Sequence, residues 1–535
     1  PWFVSPIKAW NEELGSFSPR HEASILELFF DLFFVANLAT FTQYHAITSM
    51  YNFWSYVAFF FVLWTTWFHV VCFDARFAAD SVWERTCKAL HFCVFAAFAL
   101  VGYKFQPVAP DPEKSTPHWI YRLLCWVLFS SRLTLAVQYA VTTVILSRGK
   151  NKRLQLLKPL ALQTAIFSAA SMVFGGLYAG FPNKRSAIAG DIGAMYGMIL
   201  VELFGTIGVS SVWRKLSFRA THVAERLGLL GLIIIGEGVI GTTKTTTRIM
   251  GRLGVYFEGC ALIFAIILIL MFMWTLYFDN LPRHRFGTIK QHFWMALHFP
   301  LHLAVLGVVE GAQHMALARY LYVCAEDFAA MTWRACVGSH LDGPRLAQNL
   351  TWNIEHFRLN ESARGGEALH LVIEQIEFLG NLTGVCSPAN TSNLNNGQYG
   401  VPIAFRDFLK RGISGMFQAF DLDIPQEGQM TYGFDVAAHS WIVVYAYFWS
   451  AIILLIVCLT CSSLLASTNR QHPLHLTSLR LIAVGTRTVM IVFSLIMLIV
   501  GLVSYEVMYK YLSSPWVLPT VVLQLFIVCL ADRVS

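Results

Sequence analysis

Several ionisable residues lie inside long apolar runs, where a charge is costly and therefore marks a candidate functional site. Glu27 and Asp31 are four residues apart in Glu27-Leu-Phe-Phe-Asp31-Leu-Phe-Phe-Val35, which puts both carboxylates on one face of a helix. Two acids this close could share a proton. Alternatively, each accepts hydrogen bonds from a neighbouring helix or pairs with a cation such as Arg132, and the spacing leaves both interpretations open.

A second group of charges begins a glycine-rich apolar run. His222-Val-Ala-Glu225-Arg226 opens this run, and Glu237 follows near its middle with a glycine on either side. Glycines at this density let another helix approach closely, or they break the helix and expose carbonyl groups along a polar path. We therefore consider Glu237 a transport-site candidate, with an interhelical hydrogen bond as the alternative.

Histidines recur at helical spacing in a later apolar run. His298 and His302 are four residues apart, and Glu310 and His314 repeat that spacing. Paired histidines can bind zinc, but no third ligand has a recognisable spacing here, so His298 and His302 are weak metal candidates. A proton relay is chemically simpler, and structural polar packing is the third alternative. No cofactor is indicated, although a bound lipid or sterol is compatible with the chain.

Other charges in or beside the apolar runs need partners. Residues 73–85 contain acids and bases in a turn, which predicts a solvated ion-pair cluster. The lone ions within apolar runs are Glu202, Arg487 and Arg132. Each of these must find a counter-ion on another helix, since isolated buried charges are strongly disfavoured.

The composition identifies the elements that hold these residues. The 535 residues are 56% hydrophobic and 13% charged, with a mean hydropathy of +0.54, whereas soluble domains carry about 25% charged residues. The net charge of +7 is spread over loops and favours contact with membrane lipids over nucleic-acid binding. The predicted fold is an all-α polytopic membrane protein with about 12 transmembrane helices. The predicted spans are Ile25–His45, Phe53–Phe73, Thr86–Tyr103, Trp119–Leu146, Leu156–Phe181, Ile192–Trp213, Arg226–Thr243, Val255–Phe278, Phe293–Met315, Trp441–Ala466, Leu481–Tyr505 and Trp516–Ala531.

Loop charges predict the orientation and the domains. The basic loop Ser147–Arg153 should be cytoplasmic. Alternate counting then places both termini in the cytoplasm and the long segment 324–439 outside, although Lys244–Arg252 puts cations on the wrong side. The predicted organisation is a cytoplasmic segment 1–24, a core of nine spans at 25–323, an insertion at 324–439 and three spans at 440–535. The twelfth span is the least regular, because Pro519 interrupts it.

The insertion carries features of a secreted domain. All four glycosylation sequons of the chain lie in it, at Asn349, Asn360, Asn381 and Asn390. Cys336 and Cys386 could pair in an oxidising compartment. Residues 363–381 have the apolar spacing of an amphipathic helix. These features place the protein in the plasma membrane or a secretory-pathway membrane, with 324–439 in the lumen or extracellular space.

Together the motifs resemble the low temperature requirement A (LtrA) family. The matching stretches are Glu27-Leu-Phe-Phe-Asp31, Arg76-Phe-Ala-Ala-Asp80, His222-Val-Ala-Glu225-Arg226-Leu-Gly, Gly236-Glu237, Trp274-Thr-Leu-Tyr-Phe-Asp279 and His298-Phe-Pro-Leu-His302. The resemblance covers the first nine predicted spans and implies a multi-pass membrane protein linked by name to growth in the cold. It implies no established reaction, so no catalytic residue is transferred. The sequon-bearing insertion departs from the shorter bacterial members, which suggests a eukaryotic, fungal member.

Three functions are consistent with the sequence. A transporter or channel that moves protons, ions or a small solute along the intramembrane acids is the best supported. A non-catalytic receptor or scaffold would use the glycosylated insertion as its partner surface. A lipid-acting membrane enzyme is the third, but no nucleophile elbow, zinc-protease motif or desaturase histidine set is present, so an enzyme is the less favoured class. A homo-oligomer is compatible with each function.

Overall fold

The computed structural model describes the chain except for residues 8–9, 12–15, 18–22, 45–46, 48, 108–115, 149–153, 181–188, 217, 219–220, 254–256, 281–287, 358–362, 392–400, 420–432, 467–477 and 535. Helices form nearly all of the regular structure in the described part. The only strands described there are Trp10–Asn11 (β1) and Ser16–Phe17 (β2), which form an antiparallel ribbon that pairs Trp10 with Phe17 and Asn11 with Ser16.

In the described part of the chain, nine long helices precede the insertion. The first six are Ile25–Tyr44 (α1), Met50–Phe77 (α2), Val82–Gly102 (α3), His118–Ser147 (α4), Leu157–Gly180 (α5) and Ala189–Val212 (α6). The next three are Val223–Leu253 (α7), Phe257–Asp279 (α8) and Thr288–Trp333 (α9), and α9 leads directly into a π-helical turn at Arg334–Gly338. Short 3₁₀ turns at Leu154–Leu156 and Arg214–Leu216 precede α5 and α7.

Among the residues that the structure describes, the insertion and the C-terminal part contain eight further helices. Those of the insertion are Gly343–His356 (α10), Ala363–Asn381 (α11), Pro388–Thr391 (α12) and Arg406–Ala419 (α13), with a 3₁₀ turn at Ile403–Phe405. Those after it are Gly433–Ala466 (α14), Ser478–Val503 (α15), Tyr505–Leu512 (α16) and Pro519–Val534 (α17). The predicted amphipathic helix at 363–381 is confirmed as α11, whose Val372, Ile376 and Leu379 are buried.

Ten helices of the described chain are long and apolar enough to cross a membrane. They correspond to ten of the predicted spans. The remaining two predicted spans are also helical, as α7, which carries Lys244 and Arg248, and α17, which has only 16 residues. The chain is therefore an all-α multi-pass membrane protein, as the sequence predicts.

Three helices differ in detail from the prediction. α7 runs without a break through its glycines, so the expected unwound segment is absent from this helix. α9 continues past residue 324, where the sequence placed the start of the insertion, and it contains Pro300. Pro519 begins α17 rather than interrupting it, because proline is well suited to the first turn of a helix, where its missing N–H has no partner to lose.

The described chain divides into two compact units. Unit 1 comprises Pro1–Glu237, Trp274–Leu306 and Leu454–Thr477; unit 2 comprises Gly238–Met273, Gly307–Ile453 and Ser478–Ser535. In unit 1, α2 is the most buried long helix, and every residue from Val62 to Phe77 is buried. A helix that is apolar on all sides must be enclosed by others, and α2 packs on α1, α4 and α6. It thereby provides the wall against which the polar residues of these helices meet.

Candidate functional site

The start of α1 positions Glu27. The Ser24 amide donates to Oε2 of Glu27 (2.8 Å), and the Glu27 amide donates to Oγ of Ser24 (3.3 Å). This reciprocal arrangement is the capping box that a Ser-x-x-Glu sequence favours at a helix N-terminus. It holds the Glu27 carboxylate at the first turn of α1, where the residue is only 2% exposed.

Asp31 lies one turn further along α1 and is completely buried. Arg226 of α7 binds it through two hydrogen bonds, from Nη2 to Oδ1 (2.6 Å) and from Nε to Oδ2 (3.1 Å). Trp67 of α2 donates its indole N–H to Oδ1 (2.7 Å). A bidentate, charge-assisted pair with a further donor compensates the buried carboxylate. Asp31 is therefore matched by its neighbours.

Arg226 also reaches Glu27. Its Nη2 donates to the Glu27 carbonyl (3.1 Å), and its Nη1 lies 3.7 Å from Oε2 of Glu27. His222, one turn earlier on α7, places Nε2 3.2 Å from the same carboxylate oxygen. We call Glu27, Asp31, His222 and Arg226 the α1–α7 cluster. It brings together two acids, one guanidinium and one imidazole that the sequence had singled out separately.

The suggested pairing of the α1 acids with Arg132 is wrong. Arg132 of α4 instead binds Glu202 of α6, with Nη2 2.8 Å from Oε2 and Nε 3.1 Å and 3.0 Å from the two carboxylate oxygens. Its Nη1 donates to Oγ1 of Thr66 (2.8 Å). His69 of α2 lies 3.5 Å from Glu202. Both ions of this pair are fully buried, so the two lone charges of the sequence are each other's partners.

A pocket of about 660 Å³ borders the α1–α7 cluster at Glu27. The helix ends around it belong to α1, α2 and α3, and much of its wall is apolar, including Phe29 and Ala78. The charged residues that line it are Glu27, Asp74, Asp80, Glu84, Arg85 and Lys88. A cavity of this size with a mostly apolar wall and a few charged groups is typical of a binding or entry site.

The sequence-based interpretation of residues 73–85 as a solvated cluster is only partly correct. Asp80 and Arg85 do form an exposed ion pair (2.8 Å), and this hydrogen bond from Arg85 holds the pKa of the Asp80 carboxyl below its ordinary value. Asp74, in contrast, is buried and paired with Lys88 of α3. The Lys88 ammonium also lies 4.9 Å from the centre of the Phe30 ring. Lys88 was missed, although it too is a charge within a predicted span.

From the pocket, a series of hydrogen-bonded polar side chains runs between α3 and α4. Oε2 of Glu84 accepts a hydrogen bond from Nε2 of Gln138 (3.1 Å). Oε1 of Gln138 lies 3.3 Å from Nε2 of His91, which must carry the proton because an amide oxygen only accepts. Gln138 and His91 are buried. Glu84, Lys88 and His91 share one face of α3, and this spacing was available in the sequence.

His298 and His302 are held by hydrogen bonds to side chains and backbone, although Nε2 of His298 has no hydrogen-bond partner in the described chain. Nδ1 of His298 donates to the Trp294 carbonyl (2.8 Å), while Nδ1 of His302 accepts from the Trp64 indole (3.2 Å), and Nε2 of His302 is 3.4 Å from the Tyr277 hydroxyl. Their ring centres are 5.4 Å apart. In the described part of the chain no three His, Cys, Asp or Glu residues are grouped as a metal would need.

The other acidic candidates do not join the α1–α7 cluster. Glu225 is exposed beside Arg226. Glu237 is 5% exposed and is the last residue of α7 within unit 1. Glu310 and His314 lie in unit 2. Arg487, also in unit 2, has its counter-ion in Asp532 (2.6 Å).

The insertion places its sequons and cysteines on helices and turns. Asn381 and Asn390 are exposed, Asn349 is half-buried on α10, and Asn360 lies outside the described residues. A disulfide joins Cys336 and Cys386, whose Cα atoms are 4.9 Å apart.

Comparison with known proteins yields one match. The model of a family described as bacterial low temperature requirement A protein (LtrA) matches residues 22–337. No curated protein and no solved structure matches the chain. The matched range begins just before α1 and ends in the π-helical turn after α9, and it contains every residue of the α1–α7 cluster and of the pocket.

Proposed function

The chain belongs to the low temperature requirement A (LtrA) family, and we propose that the protein is a transporter or channel for protons or small cations. We place this function in the part of the chain that the family model matches. The observation that supports this most directly is the pocket at the ends of α1, α2 and α3. It borders Glu27, whose carboxylate contacts ionised and titratable groups deeper in the helices.

The charge balance of the pocket favours a cation. Its described lining contains four acidic and two basic side chains. The bases are both engaged, Lys88 with Asp74 and Arg85 with Asp80. The negative excess therefore rests on Glu27 and Glu84, which lie at the first turns of two helices. A cleft with an excess of one sign of charge raises the local concentration of ions of the opposite sign.

The contacts of the buried acids distinguish those that could exchange a proton or cation from those that are held in structural ion pairs. Asp31 and Glu202 each have an arginine that binds both carboxylate oxygens, so displacing a proton or cation through them would break a buried ion pair. Glu27 has a longer contact with Arg226 and shares an oxygen with a histidine. We therefore assign Glu27 and His222 as the exchanging pair, and Arg226 and Asp31 as the fixed ions that hold α7 against α1.

Reconstitution into liposomes with a pH-sensitive dye tests this function. We expect an ion gradient to drive proton flux through the wild-type protein, and Glu27→Gln to abolish it, because the amide keeps the shape and one accepting oxygen but cannot exchange a proton. His222→Gln should slow the flux. The matched control is Glu506→Gln, which neutralises an exposed acid of α16 that pairs with Lys510.

Two outcomes would contradict the proposal. One is background flux of the wild-type protein with every common inorganic cation. The other is an unchanged flux in Glu27→Gln, with the protein correctly inserted and folded.

A second candidate function, a receptor or scaffold, is supported by the order of the insertion. There α11 packs on α10 and α13, and the disulfide ties the turn before α10 to the turn after α11. The insertion also exposes large apolar side chains, among them Trp352, Phe378 and Ile403. Deleting residues 343–419 should abolish a scaffold phenotype while proton flux in liposomes persists, which separates the two functions.

A further inference from the structure

Arg76 is a buried cation with no carboxylate partner among the residues that the structure describes. It lies in the last turn of α2 and is 5% exposed. Its guanidinium packs 3.6 Å from the centre of the Phe218 ring, and Nη2 donates to Oγ of Ser210 (2.6 Å). Arginine stays protonated in proteins, so this site carries a full positive charge.

The other buried arginines described in unit 1 show which kind of partner Arg76 lacks, namely a carboxylate. Arg132 and Arg226 each bind both oxygens of one carboxylate. Arg76 binds only a hydroxyl. Undescribed residues next to Phe218 in the sequence, at 217, 219 and 220, are Ser, Arg and Ala, and none of them carries a negative charge. A buried charge without compensation is strongly destabilising, so its presence calls for an explanation.

Two polar groups around Arg76 retain a free hydrogen-bond donor. Nε of Arg76 and the hydroxyl of Tyr139 are buried, and neither makes a well-formed hydrogen bond in the described chain. The Tyr139 hydroxyl lies close enough to the Arg76 guanidinium for a weak, hydrogen-bond-like contact, which leaves the Tyr139 O–H able to donate to another acceptor. The Ser210 hydroxyl is already used, since it donates to the Thr206 carbonyl (2.9 Å) while accepting from Arg76. The C-terminal dipole of α2 offsets only about half a charge.

We propose that Arg76 and Tyr139 form a buried binding site for a small monovalent anion such as chloride. One guanidinium balances one negative charge, and the two free donors point to an acceptor that the described part of the chain does not supply. Phe73 and Phe218 provide the apolar surroundings, with the Phe73 ring 5.0 Å from that of Tyr139. A phosphate group would bring more charge and need more donors than are free here.

This site is separate from the cation route. Arg76 and Tyr139 do not line the pocket at Glu27, and the anion would neutralise the Arg76 guanidinium rather than pass through the acids. The inference therefore goes beyond the proposed transport function, and either could be wrong without the other.

Thermal unfolding of the purified full-length protein in detergent tests the site. Sodium chloride is exchanged for sodium gluconate at constant ionic strength, and unfolding is followed by tryptophan fluorescence. We expect the wild-type melting temperature to rise with chloride, because a ligand of the folded state stabilises it by mass action. Arg76→Gln should remove the chloride dependence. Tyr139→Phe, which deletes only the hydroxyl, should weaken the apparent chloride affinity by about tenfold.

The matched control is Arg85→Gln, which removes the same charge from an exposed ion pair at the start of α3 and should leave the chloride dependence intact. If Arg76→Gln does not fold, Tyr139→Phe decides the question alone. A wild-type melting temperature that is indifferent to chloride would overturn the proposal. Equal chloride midpoints in the wild type and Tyr139→Phe would overturn it as well.

Discussion

At the scale of single residues, two of the buried acids in unit 1 pair with an arginine on a helix far away in the sequence. Asp31 and Arg226 are 195 residues apart in sequence, and Arg132 and Glu202 are 70 apart. Such pairs contribute little net stability compared with apolar side chains of similar size, but breaking one leaves an uncompensated charge in a medium that solvates it poorly. The pairs therefore specify which helices are neighbours more than they stabilise the fold.

The difference between removing one member of a buried ion pair and removing both can be measured on the α1–α7 cluster. Arg226→Gln should lower the free energy of unfolding by about 3–5 kcal/mol, because Asp31 remains buried without its counter-ion. Adding Asp31→Asn should recover most of that loss, since the remaining acid, Glu27, still contacts His222. Chemical unfolding in detergent of the single and double variants gives the coupling energy.

The exposed pair Asp80–Arg85 is the control, and removing it should have no measurable effect on unfolding. Losses that simply add in the Asp31→Asn/Arg226→Gln variant would show that the two residues do not act as a pair.

At the scale of elements, the glycines of α7 serve close packing instead of breaking the helix. A Cβ atom at Gly231 would lie 2.6 Å from Cζ of Tyr277 on α8, whose hydroxyl donates to the Leu227 carbonyl (3.1 Å). In unit 2, a Cβ at Gly241 would lie 2.5 Å from the Gln313 side chain of α9. Small residues at such positions let membrane helices approach closely. Gly236, in contrast, faces open space.

These two environments predict opposite effects of the same substitution. Gly231→Ala should destabilise the protein by about 1–3 kcal/mol, because the aromatic ring of Tyr277 cannot yield without losing its hydrogen bond. Gly236→Ala should be neutral or stabilising by up to about 1 kcal/mol, since alanine favours the helix and meets no neighbour. The midpoints of thermal unfolding in detergent compare them directly. Similar shifts for both variants would mean that contact with Tyr277 does not determine the role of Gly231.

At the scale of the whole molecule, the insertion gives the means to establish the orientation in the membrane. The charge distribution predicts that 324–439 lies outside the cytoplasm, and the disulfide between Cys336 and Cys386 requires an oxidising compartment to persist. The exposed sequon at Asn381, at the end of α11, is better placed for a glycan than the half-buried Asn349 within α10. Both features therefore report on the same side of the membrane.

Expression in a eukaryotic host should produce a protein that loses apparent mass on treatment with an endoglycosidase. Asn381→Gln should remove part of that shift, and Asn349→Gln should change it least. Peptide mapping under non-reducing conditions should recover the Cys336–Cys386 bridge. Removal of this bridge should destabilise the insertion by about 2–5 kcal/mol. Absence of any glycan together with free thiols at both cysteines would place the insertion in a reducing compartment and reverse the predicted topology.

The sequence by itself determined the class of the protein, the approximate position of its spans and the residues of the family core. Hydropathy and helical spacing are local properties, so they place Glu27 and Asp31 on one face of α1 and His222 and Arg226 on one face of α7. Only the tertiary structure decided that these faces meet, that Arg132 pairs with Glu202, and that Lys88 pairs with Asp74. The physical reason is that a counter-ion is chosen by the rotation and packing of helices far apart in the chain, and no local pattern encodes it. The same holds for Arg76, which has no carboxylate partner among the described residues, a fact visible only once its neighbours are known.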